Sequence, residues 1–268
     1  MNTKSIISIL QELVAVSKFE YIPLLNRIRF LILYSIDLVR LRFTTTSEKQ
    51  CVSLDNRKFK FLGNHISVFL THLHSHISYY HRYYKNANTI IDIGASFGTF
   101  PRIVNFFNPK ARIYSLEMST ESFSVLSENC SGIDKIKIDN YAIGEKTSII
   151  KYTLDPKYPE GANIGKIPYS TAGTARQISL DNYIRMNKIG NIDLVKIDAE
   201  GYEINVLKGC PKALRSVKVL IVEVKFDTFN LISVLNLMKT SGLQLVDIGP
   251  KNIASDGSVY SADLIFRP

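Results

Sequence analysis

The sequence is poor in cysteine and lacks any long hydrophobic run. Its three cysteines, Cys51, Cys130 and Cys210, lie far apart and form no C-x-x-C pair. This spacing argues against a disulfide framework or a cysteine-based zinc site, so we expect a reducing, cytoplasmic setting. The longest mostly apolar segment, 30–36, is too short to span a bilayer, and no convincing cleavable signal is present. The hydrophobic content of 46% is nevertheless ample for a packed core.

Basic residues are concentrated in the first third of the chain. The net charge is +9, and residues 1–88 carry 12 Lys or Arg against 5 Asp or Glu. This excess indicates an anionic partner such as a membrane surface, a phosphorylated or glycan substrate, or RNA, although a solvated basic face is the alternative. The segment 22–43 has arginines on both sides of an apolar centre. It predicts an amphipathic helix that either packs on the main domain or makes peripheral membrane contact.

From residue 89 onward the apolar pattern alternates between strands and helices. The predicted strands are 89–93, 112–117, 135–139, 194–198, 217–224, 243–248 and 260–266, with two further β-like runs at 148–154 and 175–180. The predicted helices are 99–107, 119–130, 202–208 and 228–240. This alternation predicts an α/β doubly wound sheet whose last two strands form an antiparallel hairpin at the edge. We therefore expect a basic, largely helical N-terminal extension, 1–88, and a sheet domain, 89–268.

A long loop, 155–173, interrupts the predicted sheet domain. It is rich in Gly, Pro, Ser and Tyr. A loop of this length inside a compact domain is usually a lid or a binding loop. We therefore predict that Asn163, Tyr169 and Ser170 help to bind a substrate.

All five histidines lie within a short segment of the extension: His65, His72, His74, His76 and His81. Alternate spacing would put three imidazoles on one face of a strand, whereas a helix would pair two of them. No acid or cysteine in the segment completes a zinc site. The preferred interpretation is a helix whose polar side faces solvent or the cleft, and a substrate contact by one histidine is an alternative.

A glycine loop follows the first strand of the sheet domain, with the sequence Asp92-x-Gly94-Ala95-Ser96-x-Gly98. It is neither the G-x-G-x-x-G dinucleotide motif nor a P-loop. A carboxylate at the strand end would repel a pyrophosphate, which prefers bare N–H groups at a helix start. The same carboxylate suits S-adenosylmethionine, which carries an ammonium and a sulfonium but no phosphate. We predict that these residues bind that cofactor.

Polar residues also end the next two strands. Glu117 is placed to accept hydrogen bonds from the ribose hydroxyls, a role that dinucleotide-binding folds share. Asp139, Asn140 and Ala142 end the third strand, at a position that suits adenine contacts. The alternative is that these side chains are ordinary polar caps of strands.

A second acidic cluster follows the strand 194–198. Lys196 would be costly in a central strand without a partner, and Glu223 on the neighbouring strand is the predicted one. Asp198, Glu200 and Glu203 then crowd the strand end, which in open α/β sheets faces the ligand. Asp198 could orient or deprotonate an acceptor hydroxyl. Asp198 and Glu200 could alternatively hold a divalent cation, but we predict no metal.

Five segments together resemble the FkbM family of S-adenosylmethionine-dependent methyltransferases. They are "IDIGASFGTF", "YSLEMS", "NYAIGEK", "SLDNYI" and "LVKIDAEGYEINVLKG", the last being the most specific. Two departures stand out: Ser96 replaces the usual asparagine, and Met118-Ser119 replaces the usual proline after the acid. The resemblance covers about 89–224 and leaves the first 88 residues outside.

The resemblance implies a Rossmann-like class I methyltransferase sheet, mostly parallel with an antiparallel last strand. It implies that Asp92, Gly94, Gly98 and Glu117 bind cofactor, and that two acids, Asp198 and Glu200, lie at the active centre. Members of the family typically methylate hydroxyl oxygens of sugars, glycolipids, polysaccharides or natural products.

The leading interpretation is therefore an O-methyltransferase that acts on a small-molecule or glycan acceptor. An RNA methyltransferase is the first alternative, prompted by the basic extension, but the Asn/Asp-Pro-Pro-aromatic motif and a defined nucleic-acid surface are lacking. A non-catalytic binding or membrane-docking protein on the same scaffold is the second. The intact loop at Asp92, Glu117 and Asp198 argues against it. The sequence carries no signal for an oligomeric state.

Overall fold

The structure is a computed structural model that describes residues 51–54, 57–60, 79–155, 158–164, 171–254 and 256–268. The strands are β1 (Cys51–Leu54), β2 (Arg57–Lys60), β3 (Thr89–Ile93), β4 (Arg112–Leu116), β5 (Ile136–Asp139), β6 (Ala142–Ile143), β7 (Ser148–Asp155), β8 (Tyr158–Asn163), β9 (Thr171–Ile178), β10 (Leu194–Ile197), β11 (Val219–Lys225), β12 (Gln244–Ile253) and β13 (Val259–Arg267). The helices are α1 (His81–Tyr84), α2 (Thr99–Phe107), α3 (Thr120–Cys130), α4 (Leu180–Met186), α5 (Glu203–Lys208), α6 (Pro211–Leu214) and α7 (Thr228–Thr240).

Seven strands form the central sheet, in the order β12-β13-β11-β10-β3-β4-β5. The pairs from β11 to β5 are parallel, while β13 runs antiparallel to both β11 and β12. The chain builds outward from β3 to β5 and then returns to place β10 on the other side of β3. This arrangement confirms the predicted Rossmann-like methyltransferase sheet and its antiparallel hairpin. It also creates a change of strand order between β3 and β10, where such sheets bind ligands.

The two faces of the sheet are buried against different helices. Alternate residues of the strands point to opposite faces. On one face Ile90 and Leu194 pack in a cluster with Ile103 of α2 and with side chains of α3. On the other, Ile91 and Val195 pack against α5, α6 and α7. Burial on both faces explains why these strands are almost continuously apolar.

A second, smaller sheet holds strands β6, β7, β8 and β9 in the order β6-β9-β7-β8. The predicted β-like runs 148–154 and 175–180 correspond to β7 and β9, whereas β8 lies inside the predicted loop 155–173 and was not predicted. Residues 156–157 and 165–170 of that loop lie outside the described residues. The predicted run 175–180 is longer at its start and ends at Ile178, because Ser179 caps α4. The Ser179 hydroxyl accepts a hydrogen bond from the Asn182 N–H at 3.3 Å. This small sheet joins β5 to β10 along the chain.

The described part of the N-terminal extension packs onto the central sheet. β1 and β2 form an antiparallel hairpin, and Phe59 lies in the same core cluster as Tyr80 and Tyr84. The Asn129 amide of α3 donates a 3.0 Å hydrogen bond to the Lys60 carbonyl oxygen. The predicted segment 22–43 lies outside the described residues. Across the described parts of the chain, no helix combines the length and the apolar character needed to cross a bilayer.

Candidate active site

A cleft opens at the carboxyl ends of β3, β4 and β10. This is the position at which the strand order changes direction, where sheets of this kind bind ligands. The predicted residues that line it are Gly94, Ser96, Glu117, Ala142, Asp198 and Glu200. The remaining lining residues are Ile93, Leu116, Met118, Tyr141, Ile143, Ile164, Ala199 and Tyr202.

Positive backbone angles shape the glycine loop between β3 and α2. The φ values are 80° at Gly94, 47° at Ser96 and 89° at Gly98. A side chain at Gly94 would place its Cβ 1.7 Å from the Asp198 carbonyl oxygen, so only glycine allows this approach to the turn after β10. Ser96 lies in the left-handed region, which asparagine tolerates better than serine. Gly98 begins α2 and Ala95 is buried, so these two residues support the loop without lining the cleft.

Glu117 is a buried carboxyl in the wall of the cleft. One oxygen, Oε2, accepts from the Ser96 N–H at 2.9 Å, and Oε1 accepts from the Ser119 N–H at 2.8 Å. Burial raises its pKa to about 7, although these N–H groups pull it down. Each oxygen retains a lone pair. The carboxyl is therefore able to accept from ligand hydroxyls, as its predicted ribose contact requires.

The residues predicted at the end of the third strand have different positions. Ala142 lines the cleft. Asn140 instead braces the neighbouring strand end, because its amide donates to the Glu117 carbonyl oxygen at 2.8 Å. Asp139 accepts a 2.7 Å hydrogen bond from the Tyr183 hydroxyl. Asp139 and Asn140 thus support the cleft from behind and do not line it.

Asp92 lies beneath the glycine loop and is fully buried. Within the described residues neither of its carboxylate oxygens has a hydrogen-bond partner. Burial raises its pKa to about 7, an effect that the Lys196 cation opposes and the Asp198 charge reinforces. A buried carboxylate without hydrogen bonds favours a nearby positive charge. Together with the glycine loop and Glu117, it fits the ammonium, sulfonium and ribose of S-adenosylmethionine.

The strand end opposite the glycine loop carries an ion pair. Lys196 is 5% exposed at its side chain, and its Nζ lies 3.0 Å from Oδ2 of Asp198, which is 32% exposed and lines the cleft. The prediction that Glu223 is the partner of Lys196 was therefore wrong. Glu223 instead accepts hydrogen bonds from the Asn252 amide at 2.8 Å and the Ser261 hydroxyl at 3.0 Å.

The turn after β10 holds two more carboxyls in different ways. Glu200 has a φ of 51°, an uncommon conformation that concentrates at functional sites. Its carboxylate lies 3.6 Å from the Lys225 ammonium. Burial and the neighbouring Asp198 charge raise its pKa to about 7. Glu203 points inward and accepts backbone hydrogen bonds of the turn, including one from the Gly201 N–H at 2.9 Å.

The small sheet contributes an apolar wall that sequence reasoning missed. Ile164 follows β8, lines the cleft and, like Met118, packs against the small buried cluster that includes Ala142 and Tyr152. The backbone of Asn163 lies in β8, next to Ile164. Tyr169 and Ser170, also predicted to bind substrate, lie outside the described residues. Proximity of β8 to the cleft is thus established, while the three substrate contacts stay predictions.

The histidine segment is described only at its end. His81 lies in α1, where it is buried against the rings of Tyr84 and Phe107 at centroid distances of 5.4 and 5.7 Å. Burial lowers its pKa to about 4. It therefore belongs to the core, and the expectation that it faces solvent or the cleft was wrong. The other four histidines of the segment lie outside the described residues: His65, His72, His74 and His76. Among the side chains that the structure describes, no three His, Cys, Asp or Glu are grouped to hold a metal.

Solved structures with a similar chain trace include two archaeal fibrillarins. The fibrillarin pre-rRNA processing protein of Methanococcus jannaschii is 12% identical, with a TM-score of 0.47, and the match covers 84% of this chain and 85% of that one. Fibrillarin of Aeropyrum pernix, in complex with S-adenosyl-L-methionine, is also 12% identical, with a TM-score of 0.43 over 69% and 68% of the two chains.

Sequence comparison adds closer relatives. The hexuronic acid methyltransferase AglP of Haloferax volcanii is 29% identical over 134 residues, which cover 50% of this chain and 54% of that protein. The chain thus matches about half the length of this curated relative. Residues 92–242 match the Methyltransferase FkbM domain. Because this match covers more than half of the chain, the protein belongs to the FkbM family of S-adenosylmethionine-dependent methyltransferases, as its motifs predicted.

Proposed function

We propose that the protein transfers a methyl group to a hydroxyl oxygen of a sugar, in a glycan, glycolipid, polysaccharide or related small molecule. The observation that carries this proposal is the Asp198 carboxylate, which is paired with Lys196 and exposed to the cleft at the strand end. The similarity to a hexuronic acid methyltransferase supports a sugar acceptor. A sugar hydroxyl is a weak nucleophile, so a carboxylate that accepts its proton assists the transfer.

The methyl donor would occupy the side of the cleft formed by the glycine loop. Gly94 and Ser96 allow close backbone approach, Glu117 accepts from the ribose, and Asp92 favours the positive charge. Bound S-adenosylmethionine supplies an electrophilic methyl group. The chain's part is to align the acceptor oxygen with that methyl, to exclude water and to hold Asp198 within reach of the hydroxyl.

The acceptor would enter between the turn after β10 and the small sheet. Glu200 borders this side and is proposed to orient the acceptor with Asp198. Asn163, Tyr169 and Ser170 are proposed to contact the sugar, since β8 borders the cleft through Ile164.

The basic segment 22–43 is proposed to make peripheral contact with a membrane surface. Nucleic acid is not an expected acceptor. A direct check is flotation of the full chain with vesicles that contain anionic lipids.

The test of the proposed function uses the full chain, methyl-labelled S-adenosylmethionine and an extract of the source cells. We expect label in the lipid or polysaccharide fraction. Asp198→Asn should lower kcat by at least about 100-fold with cofactor affinity retained, because only the proton acceptor is lost. Asp134 is exposed, so Asp134→Asn is the matched control and should leave turnover unchanged. Label confined to RNA or protein, or full turnover by Asp198→Asn, would contradict the proposal.

A further inference from the structure

Three carboxyls and one lysine meet beneath the acceptor side of the cleft. We call them the carboxyl cluster: Asp198, Glu223, Asp263 and Lys196. Lys196 pairs with Asp198 at 3.0 Å. Glu223 and Asp263 lie directly opposite each other on β11 and β13. The Tyr80 hydroxyl donates a hydrogen bond to Asp263. Like charges placed opposite each other on paired strands repel, so this arrangement requires compensation.

The hydrogen bonds show which carboxyl can carry a proton. Asp198 pairs with the Lys196 ammonium, and Asp263 accepts a hydrogen bond from the Tyr80 hydroxyl. Both contacts favour the ionised form of the carboxyl. Glu223 accepts from Asn252 and Ser261 through one oxygen only, Oε1. In the parallel register of β10 and β11, Ile197 pairs with Val222, so the next residues, Asp198 and Glu223, lie side by side within reach of a shared hydrogen bond. Two carboxyls can share such a bond only when one of them is protonated.

The charges around Glu223 also favour its protonated form. Burial raises its pKa to about 9, and the negative charges of Asp198, Asp263 and Glu200 add to the effect. The ammonium of Lys196 is the buried cation of the cluster, and Asp198 and Asp263 both hold it in its charged form. The single lysine of the cluster leaves two of the three carboxylates without a compensating cation, and this imbalance favours retention of one proton.

We propose that Glu223 is a positioning residue for methyl transfer. Its protonated carboxyl donates a hydrogen bond to Asp198 and so keeps Asp198 ionised and oriented toward the acceptor hydroxyl. This inference rests on the proposed function, in which Asp198 accepts the hydroxyl proton. In that step the acceptor oxygen–methyl bond forms and the sulfur–methyl bond breaks, leaving a neutral thioether. The hydroxyl proton moves to Asp198, while Glu223 keeps its own proton.

The inference predicts a basic limb in the pH profile. Once Glu223 ionises, it repels Asp198 and no longer donates to it. We therefore expect kcat of the unaltered protein to fall about tenfold between pH 8 and pH 10. Glu223→Gln supplies a permanent N–H donor, so it should retain kcat within about threefold at pH 7.5 and lose the basic limb. Glu223→Leu, which has no donor, should lower kcat at every pH.

The control is Glu128→Gln, a half-exposed position on α3, which should keep the basic limb. An unchanged basic limb in Glu223→Gln would overturn the inference, and so would a folded but inactive Glu223→Gln. The two proposals fail separately. Full turnover by Asp198→Asn would contradict the role of Asp198 as proton acceptor. Loss of turnover in Asp198→Asn, together with an unchanged basic limb in Glu223→Gln, would contradict only the role of Glu223.

A spectroscopic measurement covers the case in which the variants do not fold. Infrared titration of the unaltered protein labelled with ¹³C-glutamate separates glutamate carboxyls from aspartate carboxyls. We expect a protonated glutamate C=O band that persists at pH 8 and disappears with a midpoint near 9, above the midpoints of Glu117 and Glu200 near 7. Absence of a protonated glutamate at pH 8 would overturn the inference.

Discussion

The two halves of the cleft hold their acidic side chains in different ways. On the glycine-loop side, Glu117 is held by two backbone N–H groups, and Asp92 is buried without a hydrogen bond within the described residues. On the side of the turn after β10, Asp198 pairs with Lys196 and lies beside Glu223, and both neighbours are ionisable. The first half is organised by backbone geometry, and the second by ionisable side chains.

This difference fits the roles that we propose for the two halves. A cofactor of fixed structure is best bound by groups whose positions are set by the main chain, because no side-chain entropy is lost. Proton acceptance needs a group whose charge can change, together with neighbours that tolerate the change. Substitutions in the first half should therefore act on shape and affinity, and those in the second on pH dependence and turnover.

The largest effect is expected from closing the space at Gly94. In Gly94→Ala the new Cβ would collide with the Asp198 carbonyl oxygen, and alanine also disfavours the positive φ. We expect the free energy of unfolding to fall by about 3 kcal/mol or more, with loss of measurable cofactor binding. Urea denaturation and calorimetric titration measure both. Gly190→Ala, where a Cβ meets nothing within 4 Å, should bind normally. Normal binding by Gly94→Ala would show that backbone geometry does not organise this half.

An intermediate effect is expected from the pH dependence of cofactor binding. Asp92 has a pKa of about 7, so it ionises as the pH rises through 7, and only the ionised form attracts a cationic ligand. The dissociation constant of S-adenosylmethionine should therefore fall by about tenfold between pH 6 and pH 8 through this group. Asp92→Asn should flatten this dependence, apart from the share that Glu117 contributes. Asp134→Asn, at an exposed position, should leave it intact. Equal slopes in all three proteins would remove the electrostatic role of Asp92.

The smallest effect is expected at Ser96, where the backbone is left-handed. Ser96→Asn should raise the free energy of unfolding by about 0.5 kcal/mol, because asparagine adopts this conformation more readily. Lys188 has a similar φ of 50° outside the cleft, and Lys188→Asn should stabilise equally. Thermal melts measure both, and only Ser96→Asn should alter cofactor affinity. Destabilisation by Ser96→Asn would mean that the serine side chain, and not the left-handed backbone, determines the stability at this position.

The central sheet was predictable because its strands are buried on both faces. Continuous apolar runs gave β3, β10 and β11 to within about two residues, and the helix predictions 99–107 and 228–240 match α2 and α7. In the small sheet, the β-like runs predicted at 148–154 and 175–180 correspond to β7 and β9, but β8 was not predicted. The segment around β8 is rich in Gly, Pro, Ser and Tyr, which are typical of turns. Its pairing also joins distant segments, such as Ala142 with Gln177.

The positions of three predicted acids could be read from the strand ends. Asp92 is the penultimate residue of β3, and Glu117 and Asp198 directly follow β4 and β10. Side-chain partners were harder, because they depend on rotamers. Lys196 contacts Asp198, which directly follows its own strand, and not Glu223 on the neighbouring strand. The apolar lining at Ile164 had no signal, since it depends on how the small sheet packs.

The contact between Gly94 and the Asp198 carbonyl has a mechanical consequence. With no space for even a methyl group between them, the glycine loop cannot move toward the turn after β10 without pushing it. The two halves of the cleft are therefore closely packed through the main chain, and we expect a ligand that fixes the glycine loop to restrict the turn after β10 as well.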